Sequence, residues 1–160
     1  MIEIKEVKLN KENLIKIKEI DNIFYNEDIL TLDWYLERYN ENHKAILLFD
    51  NDRCVGYLVS VPVRKELYDT IINGVITNDL YINPNMFITE SKYNYIISIV
   101  LLENYKNEGY GSKMLNKLFN NVNGCFCALT ITEDGYKLAN NYMDLIMSIN
   151  SKVSVFKKEI

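Results

Sequence analysis

Apolar and polar residues recur with two periods along this chain, and each change of period marks a predicted element. Residues 2–7 alternate apolar and polar side chains and predict a first β-strand. Residues 11–24 repeat apolar side chains at helical spacing, with Asn10 as a candidate N-cap, and a second helix is predicted to begin near Thr31. The chain therefore opens with a strand and two amphipathic helices.

Strands predominate among the elements predicted after these helices. Residues 45–49 and 54–61 are apolar runs on either side of a polar turn, so they predict a hairpin. Residues 125–131 predict another strand. A helix is then expected from about residue 133 to Ile149, with an apolar face of Leu138, Tyr142, Leu145, Ile146 and Ile149. Residues 152–157 alternate again and predict the last strand.

The segment between the hairpin and the next strand, residues 64–93, admits two interpretations. Residues 66–72 fit a helix that ends before Gly74. Asn73-Gly74 between two apolar pairs equally fits a tight hairpin turn. The helix is preferred because Leu67, Tyr68, Ile71 and Ile72 fit one helical face. Residues 78–85 are expected to form an irregular loop.

The stretch of residues 95–122 predicts a strand, a glycine-bearing turn and a helix. Residues 96–102 form a short apolar run rich in β-branched side chains, which is typical of a buried strand. Gly109 and Gly111 follow in a polar segment. Apolar residues then return at helical spacing: Tyr110, Met114, Leu115, Leu118, Phe119 and Val122.

A glycine-bearing turn at a helix N-terminus is suited to binding an anion. The first N–H groups of a helix have no partner within the helix, and the helix dipole favours negative charge there. Glycine at positions 109 and 111 lets a phosphate approach the backbone without meeting a Cβ atom. The spacing matches neither the P-loop nor the dinucleotide-binding fingerprint.

Composition narrows the class of protein. The chain has 160 residues, 48% of them hydrophobic, which suits one domain over residues 1–160. A net charge of −4 argues against general nucleic-acid binding. No apolar run approaches the ~20 residues of a membrane span, and the start lacks the apolar core of a signal peptide, so a cytoplasmic protein is expected. Strand edges near the C-terminus are compatible with a homodimer.

Cysteine and histidine usage argues against metal and hydrolase chemistry. The three cysteines are an odd number, and Cys125 and Cys127 share one face of a predicted strand, so they are expected to pack rather than to form a disulfide. Zinc needs more ligands than these cysteines and the single His43 readily supply. His43 is expected to be a solvated loop residue.

The turn segment also resembles a known family signature. Lys106-Asn107-Glu108-Gly109-Tyr110-Gly111 is similar to the acetyl-coenzyme A motif of the GNAT acetyltransferases, Arg/Gln-x-x-Gly-x-Gly/Ala after a strand. Lys106 departs from it, since lysine keeps the positive charge but lacks the planar fork of arginine. The resemblance implies an α/β (α+β) fold, with a mixed, mostly antiparallel sheet flanked by helices in the order βααββ(x)βαβαβ.

The resemblance implies an N-acetyltransferase that uses acetyl-coenzyme A, needs no metal, and transfers the acetyl group directly to a primary amine in a ternary complex. It implies that backbone groups of the strand end, Val100, Leu101 and Leu102, bind the pantetheine and polarise the acetyl oxygen. The turn is implied to hold the pyrophosphate through Lys106, Asn107, Glu108, Gly109, Tyr110, Gly111 and Ser112.

The same resemblance implies that Tyr142 protonates the leaving thiolate. GNAT sequences often carry a tyrosine in the helix after the fifth strand, and Tyr142 is the only position of that helix motif that this chain matches. No residue is an obvious general base, because Ile97 and Ser98 stand where some relatives carry a carboxylate. The acidic turn Glu27-Asp28 is implied to flank the acceptor site and would suit a cationic amine.

Two other classes of function stay open at the sequence level. A GNAT-shaped module that binds acyl-coenzyme A without transferring the acyl group is favoured by the missing carboxylate and the missing motif positions. A structural protein without a ligand requires the strand, turn and helix match to be accidental. Coenzyme affinity distinguishes the structural protein from the other two classes, and thioester consumption distinguishes the enzyme from the binding module.

Overall fold

The computed structural model describes residues 1–26 and 30–160, so the predicted acidic turn Glu27-Asp28 lies outside the described residues. The elements in chain order are β1 (Ile2–Lys8), α1 (Lys11–Tyr25), α2 (Leu32–Arg38), β2 (Lys44–Asp50), β3 (Arg53–Pro62), α3 (Lys65–Ile72), β4 (Tyr93–Leu101), α4 (Tyr110–Asn121), β5 (Cys125–Thr130), α5 (Glu133–Tyr142), β6 (Asp144–Ser148) and β7 (Ser154–Glu159). The strands form a seven-stranded sheet in the order β1-β2-β3-β4-β5-β7-β6. The predicted fold class, a mostly antiparallel sheet flanked by helices, is confirmed.

One compact unit comprises Met1–Val59 and Ser98–Leu118. In it, β1 pairs antiparallel with β2, and β2 pairs antiparallel with β3. Helix α1 begins at the predicted cap, since Asn10 accepts a hydrogen bond from the Asn13 amide at 2.9 Å, and Thr31 caps α2 in the same way. The buried side chains of α1 follow the predicted apolar stripe: Leu14, Ile17 and Ile20.

The other compact unit comprises Ser60–Ile97 and Phe119–Ile160. Strand β4 pairs parallel with β5 over Tyr93–Ile96, whereas β7 pairs antiparallel with both β5 and β6. Helices α3 and α5 pack on these strands. Phe119 meets Phe126 edge to face, with ring centroids 5.1 Å apart.

The preferred helix in the ambiguous segment is confirmed as α3, and it buries Leu67, Tyr68 and Ile71. Residues 78–85, predicted as an irregular loop, lie outside the α-helices and strands but include two short 3-10 turns, Asp79–Tyr81 and Pro84–Met86, the second of which ends one residue later. Within the described ranges, none of the helices has the length and apolar character that crossing a membrane requires.

The predicted helix to Ile149 is wrong beyond Tyr142. Helix α5 ends there, and the Met143 amide makes the last helical bond, to the Ala139 carbonyl at 2.7 Å. Asp144–Ser148 instead forms strand β6, which pairs with β7. The apolar residues after Tyr142 fit helical spacing, but pairing with a later strand decides their conformation.

The prediction that His43 is solvated is also wrong. Its side chain is 2% exposed, and its Nδ1 accepts a hydrogen bond from the Asn40 amide at 3.2 Å. The Leu9 amide donates to the His43 carbonyl at 2.8 Å. His43 therefore holds the turn before β2 rather than facing solvent. The cysteines follow the prediction, since Cys54, Cys125 and Cys127 are free thiols and Cys127 is buried.

Gly124 is expected to tolerate no side chain, because it directly precedes β5 in a backbone conformation, φ +148°, that L residues rarely adopt. A Cβ atom there would lie 2.4 Å from the Lys92 carbonyl oxygen. We expect Gly124→Ala to lower the free energy of unfolding by about 3 kcal/mol and the melting temperature by ~10 °C. Thermal unfolding followed by circular dichroism measures this.

Gly109→Ala is the matched control, because Gly109 also has a positive φ, +83°, but a Cβ atom there would meet nothing within 4 Å. It should cost about 1 kcal/mol, from backbone strain alone. Equal losses in the two variants would show that contact with Lys92 is not what forbids a side chain at Gly124.

Candidate active site

A short turn connects the end of β4 to helix α4. The Tyr105 amide donates to the Leu102 carbonyl at 2.9 Å and the Lys106 amide to the Glu103 carbonyl at 3.2 Å, which closes a 3-10 turn. Asn107 and Gly109 then adopt positive φ angles of 62° and 83°. Asparagine and glycine are the residues that accept this conformation most readily, so the sequence itself permits the reversal.

The backbone of this turn presents a row of free donors. Gly109 provides the carbonyl that accepts the first helical bond, from the Lys113 amide at 3.1 Å. In the described part of the chain, the amides from Asn107 to Ser112 donate no hydrogen bond. These amides lie at the positive end of the α4 dipole. The space that a Cβ atom of Gly109 would occupy is open. The turn therefore has the geometry of an anion-binding site.

Charged and aromatic side chains surround the turn. The Lys106 ammonium lies 3.2 Å from Glu103, whose carboxylate is largely exposed, and 5.3 Å from the centre of the Phe24 ring. An exposed ion pair of this kind is weak, so Lys106 keeps a positive charge that an anion can use. Tyr105 ties the turn to the β2–β3 hairpin, because its hydroxyl donates to Asp50 at 2.6 Å. This hydrogen bond lowers the pKa of Asp50.

The end of β4 leaves backbone groups on one edge. The Leu102 amide donates to the Val55 carbonyl of β3 at 2.9 Å. Because successive residues of a strand direct their backbone groups to opposite edges, Leu101 directs its N–H and C=O away from β3. The parallel register with β5 ends at Ile96, so among residues 1–26 and 30–160 these groups have no ladder partner there. This edge is free to pair with an extended ligand.

Glycine at position 56 allows the close approach of β3 to this strand end. A Cβ atom at Gly56 would lie 2.7 Å from a Leu101 methyl carbon and 3.0 Å from the Val100 carbonyl oxygen. The three strand-end residues are sheltered, with Val100 and Leu102 buried and Leu101 half-buried. Their side chains pack, and only their backbone remains for recognition.

Asp21 on α1, Tyr35 on α2, Tyr57 on β3 and Ser98 on β4 form a polar cluster that the sequence did not predict. The Asp21 carboxylate accepts a hydrogen bond from the Tyr35 hydroxyl and another from the Tyr57 hydroxyl, each at 2.5 Å. The Tyr57 hydroxyl is 3.2 Å from the Ser98 hydroxyl on β4. Burial and the Asp21 carboxylate raise the pKa of both tyrosines, so both phenols keep their protons.

A signal for this cluster exists in the sequence. Asp21 lies four residues after Ile17 and so falls on the apolar face of α1, where an acidic side chain requires partners. Those partners are 14 and 36 residues away in sequence, so periodicity alone does not find them.

The predicted acid Tyr142 is the last residue of α5 and is half-buried. Its carbonyl accepts a hydrogen bond from the Lys158 ammonium at 3.0 Å. Tyr142 belongs to the second compact unit, whereas the strand end and the turn belong to the first. The structure brings Val100, Leu101 and Leu102 into one segment with the turn, and the role of Tyr142 stays a prediction.

Comparison with known proteins identifies the family. The model of the acetyltransferase (GNAT) family matches residues 14–134, so the chain belongs to that family. A comparison with curated protein sequences gives no match.

Solved structures share the fold at low sequence identity. One is the Arabidopsis thaliana NAA60 in complex with acetyl-CoA, with a TM-score of 0.66, 14% identity, and coverage of 100% of this chain and 99% of that chain. Another is the Arabidopsis thaliana Naa50 in complex with the bisubstrate analogue CoA-Ac-MVNAL, with a TM-score of 0.60, 17% identity, and coverage of 98% and 99%. A third is the loading GNATL domain of CurA from Lyngbya majuscula, with a TM-score of 0.69, 10% identity and coverage of 98% of both chains.

Proposed function

We propose that this protein is an N-acetyltransferase that moves an acetyl group from acetyl-coenzyme A to a primary amine. The row of free amides from Asn107 to Ser112, at the junction of β4 and α4, carries the proposal. Family membership supports it, since the chain carries the family's coenzyme signature at that junction with a single departure, Lys106. NAA60, which shares the fold, was solved with acetyl-CoA.

The proposed binding of the coenzyme uses backbone groups almost throughout. The turn amides hold the pyrophosphate, and the Lys106 ammonium adds a positive charge to them. The free edge of β4 at Leu101 pairs with the amide groups of the pantetheine, as an added strand would. A backbone N–H of the same edge polarises the acetyl oxygen in the transition state.

The proposed reaction is a direct acyl transfer in a ternary complex. The amine nitrogen attacks the thioester carbon and forms the C–N bond, the C–S bond breaks, the nitrogen loses a proton to water, and the thiolate leaving group gains a proton. Tyr142 is the proposed donor of that last proton, since a phenol hydroxyl can act as a general acid. No metal is required for any of these steps.

Calorimetric titration with acetyl-coenzyme A, beside coenzyme A and a nucleotide control, tests the binding part of the proposal. We expect saturable binding of both coenzymes and weaker binding of the nucleotide. Thioester consumption with a panel of primary amines then tests transfer. Binding without consumption would indicate the acyl-coenzyme A module instead, and absence of binding would refute the assigned site.

A further inference from the structure

The buried cluster on α1 fixes the direction of its hydrogen bonds. An ionised carboxylate only accepts hydrogen bonds, and the two phenols contact different oxygens of Asp21, Tyr35 at Oδ2 and Tyr57 at Oδ1. Asp21, Tyr35 and Tyr57 are 6%, 2% and 4% exposed, so water does not compete freely for these bonds. Tyr57 therefore donates its only proton to Asp21.

This direction determines what the neighbouring serine does. The Tyr57 hydroxyl has no second proton to give, so the contact of 3.2 Å with Ser98 requires the serine to be the donor. Once the Ser98 proton points at Tyr57, its oxygen presents only lone pairs to any other neighbour. Ser98 is half-buried, at the accessible end of an otherwise buried chain of hydrogen bonds.

Ser98 also lies close to the proposed acyl-transfer site. It precedes Val100 by two residues on β4, a distance of about 7 Å along a strand. Residues two apart on a strand share a face, so Ser98 and Val100 are on the same side of the sheet. Ser98, which stands where some relatives carry a carboxylate, thus has a hydroxyl that is hydrogen-bonded through Tyr57 to the carboxylate of Asp21.

We propose that Asp21, acting through Tyr57, fixes the Ser98 oxygen as a hydrogen-bond acceptor for an N–H group of the acceptor amine. This inference rests on the proposed function. Ser98 contacts the substrate, whereas Tyr57 and Asp21 are positioning residues. The arrangement favours a primary amine or ammonium, which donates hydrogen bonds, over a group that only accepts them. The accepted N–H bond orients the nitrogen for attack on the thioester.

The cluster offers a matched pair of variants. Tyr57→Phe and Tyr35→Phe each remove one phenol hydroxyl that donates to Asp21 at 2.5 Å, but only Tyr57 continues to Ser98. We expect Tyr57→Phe and Ser98→Ala to raise the KM for the amine about tenfold, as loss of one aligned hydrogen bond does, with the KM for acetyl-coenzyme A unchanged. Tyr35→Phe should leave both KM values unchanged. Ser98→Thr, which keeps the hydroxyl, should restore the amine KM.

The double variant Tyr57→Phe/Ser98→Ala gives the sharpest result. If Tyr57 acts through Ser98, the double variant should lose no more amine affinity than Ser98→Ala alone. Equal effects of Tyr35→Phe and Tyr57→Phe on the amine KM, or an unchanged KM in Ser98→Ala, would overturn the inference and leave the cluster a purely structural tie. Because Ser98 is half-buried, Ser98→Ala is expected to fold, so it tests the inference even if Tyr57→Phe does not fold.

Amine-dependent thioester consumption by the wild-type protein distinguishes failure of this inference from failure of the proposed function. Turnover with an amine by the wild type, together with the pattern of KM values above, supports both. Turnover with no distinction among the variants overturns only the role of the cluster. Failure of the wild type to consume thioester with any amine overturns the proposed function and this inference together.

Discussion

Replacing Gly109 with aspartate is expected to abolish the binding of acetyl-coenzyme A. The new carboxylate would lie among the free amides of the turn, where the pyrophosphate is proposed to bind. Two like charges 4 Å apart repel by about 4 kcal/mol at an effective dielectric constant of 20, so affinity should fall by at least ~100-fold. Calorimetric titration with acetyl-coenzyme A measures this loss.

Gly109→Asn is the control that isolates charge from shape. Asparagine and aspartate have nearly the same size and both tolerate a positive φ, and the space beside Gly109 is open to either. The asparagine variant should lose far less affinity than the aspartate variant. Similar affinities in Gly109→Asp and wild type would mean that the phosphates do not approach this turn. Gly111→Asp should repeat the effect from the first turn of α4.

The parts of the fold that were predicted correctly depend on local signals. Asn10 and Thr31 cap the helices that they were expected to begin or precede, because a cap needs only neighbouring amides. The polar turn between β2 and β3 is also a local signal, and the hairpin that it predicted is present. The junction of β4 and α4 was also predictable, since a change of period and two glycines mark it.

The parts that were missed depend on distant partners. Leu145 and Ile146 fit a helical stripe, and no glycine or proline separates them from α5, yet pairing with β7 makes them a strand. His43 was expected in solvent because it precedes a strand in a polar segment, but it is buried and its Nδ1 accepts a hydrogen bond from the Asn40 amide. Propensity yields to tertiary contacts in both cases.

The polar cluster shows the same limit at the candidate site. Each of its members is an ordinary residue of its own element when the sequence is read locally: Asp21 lies in a helix, and Tyr57 and Ser98 lie in strands. Their juxtaposition spans 36 residues from Asp21 to Tyr57 and 41 from Tyr57 to Ser98. A charged residue on an apolar helical face was the only clue that the sequence offered.

Replacing Tyr142 with phenylalanine is expected to lower kcat by about 100-fold while sparing affinity for acetyl-coenzyme A. The ring stays, so the packing of the end of α5 is retained, and only the hydroxyl proposed to protonate the leaving thiolate is lost. The coenzyme is proposed to bind through backbone groups of Val100–Leu102 and the turn, which this change does not touch. Steady-state kinetics with a saturating amine, beside calorimetric titration, measures both quantities.

Tyr136→Phe is the matched control, because Tyr136 lies on the same helix, is also half-buried, and packs its ring against Phe156 with centroids 5.3 Å apart. It should leave kcat unchanged. An active Tyr142→Phe variant would remove Tyr142 as the acid and leave the thiolate to take its proton from solvent. Equal losses of kcat in both variants would instead indicate that the tyrosine hydroxyls of α5 stabilise the helix. Tyr136 is proposed only to pack, so its hydroxyl should not affect kcat if proton donation to sulfur is specific to Tyr142.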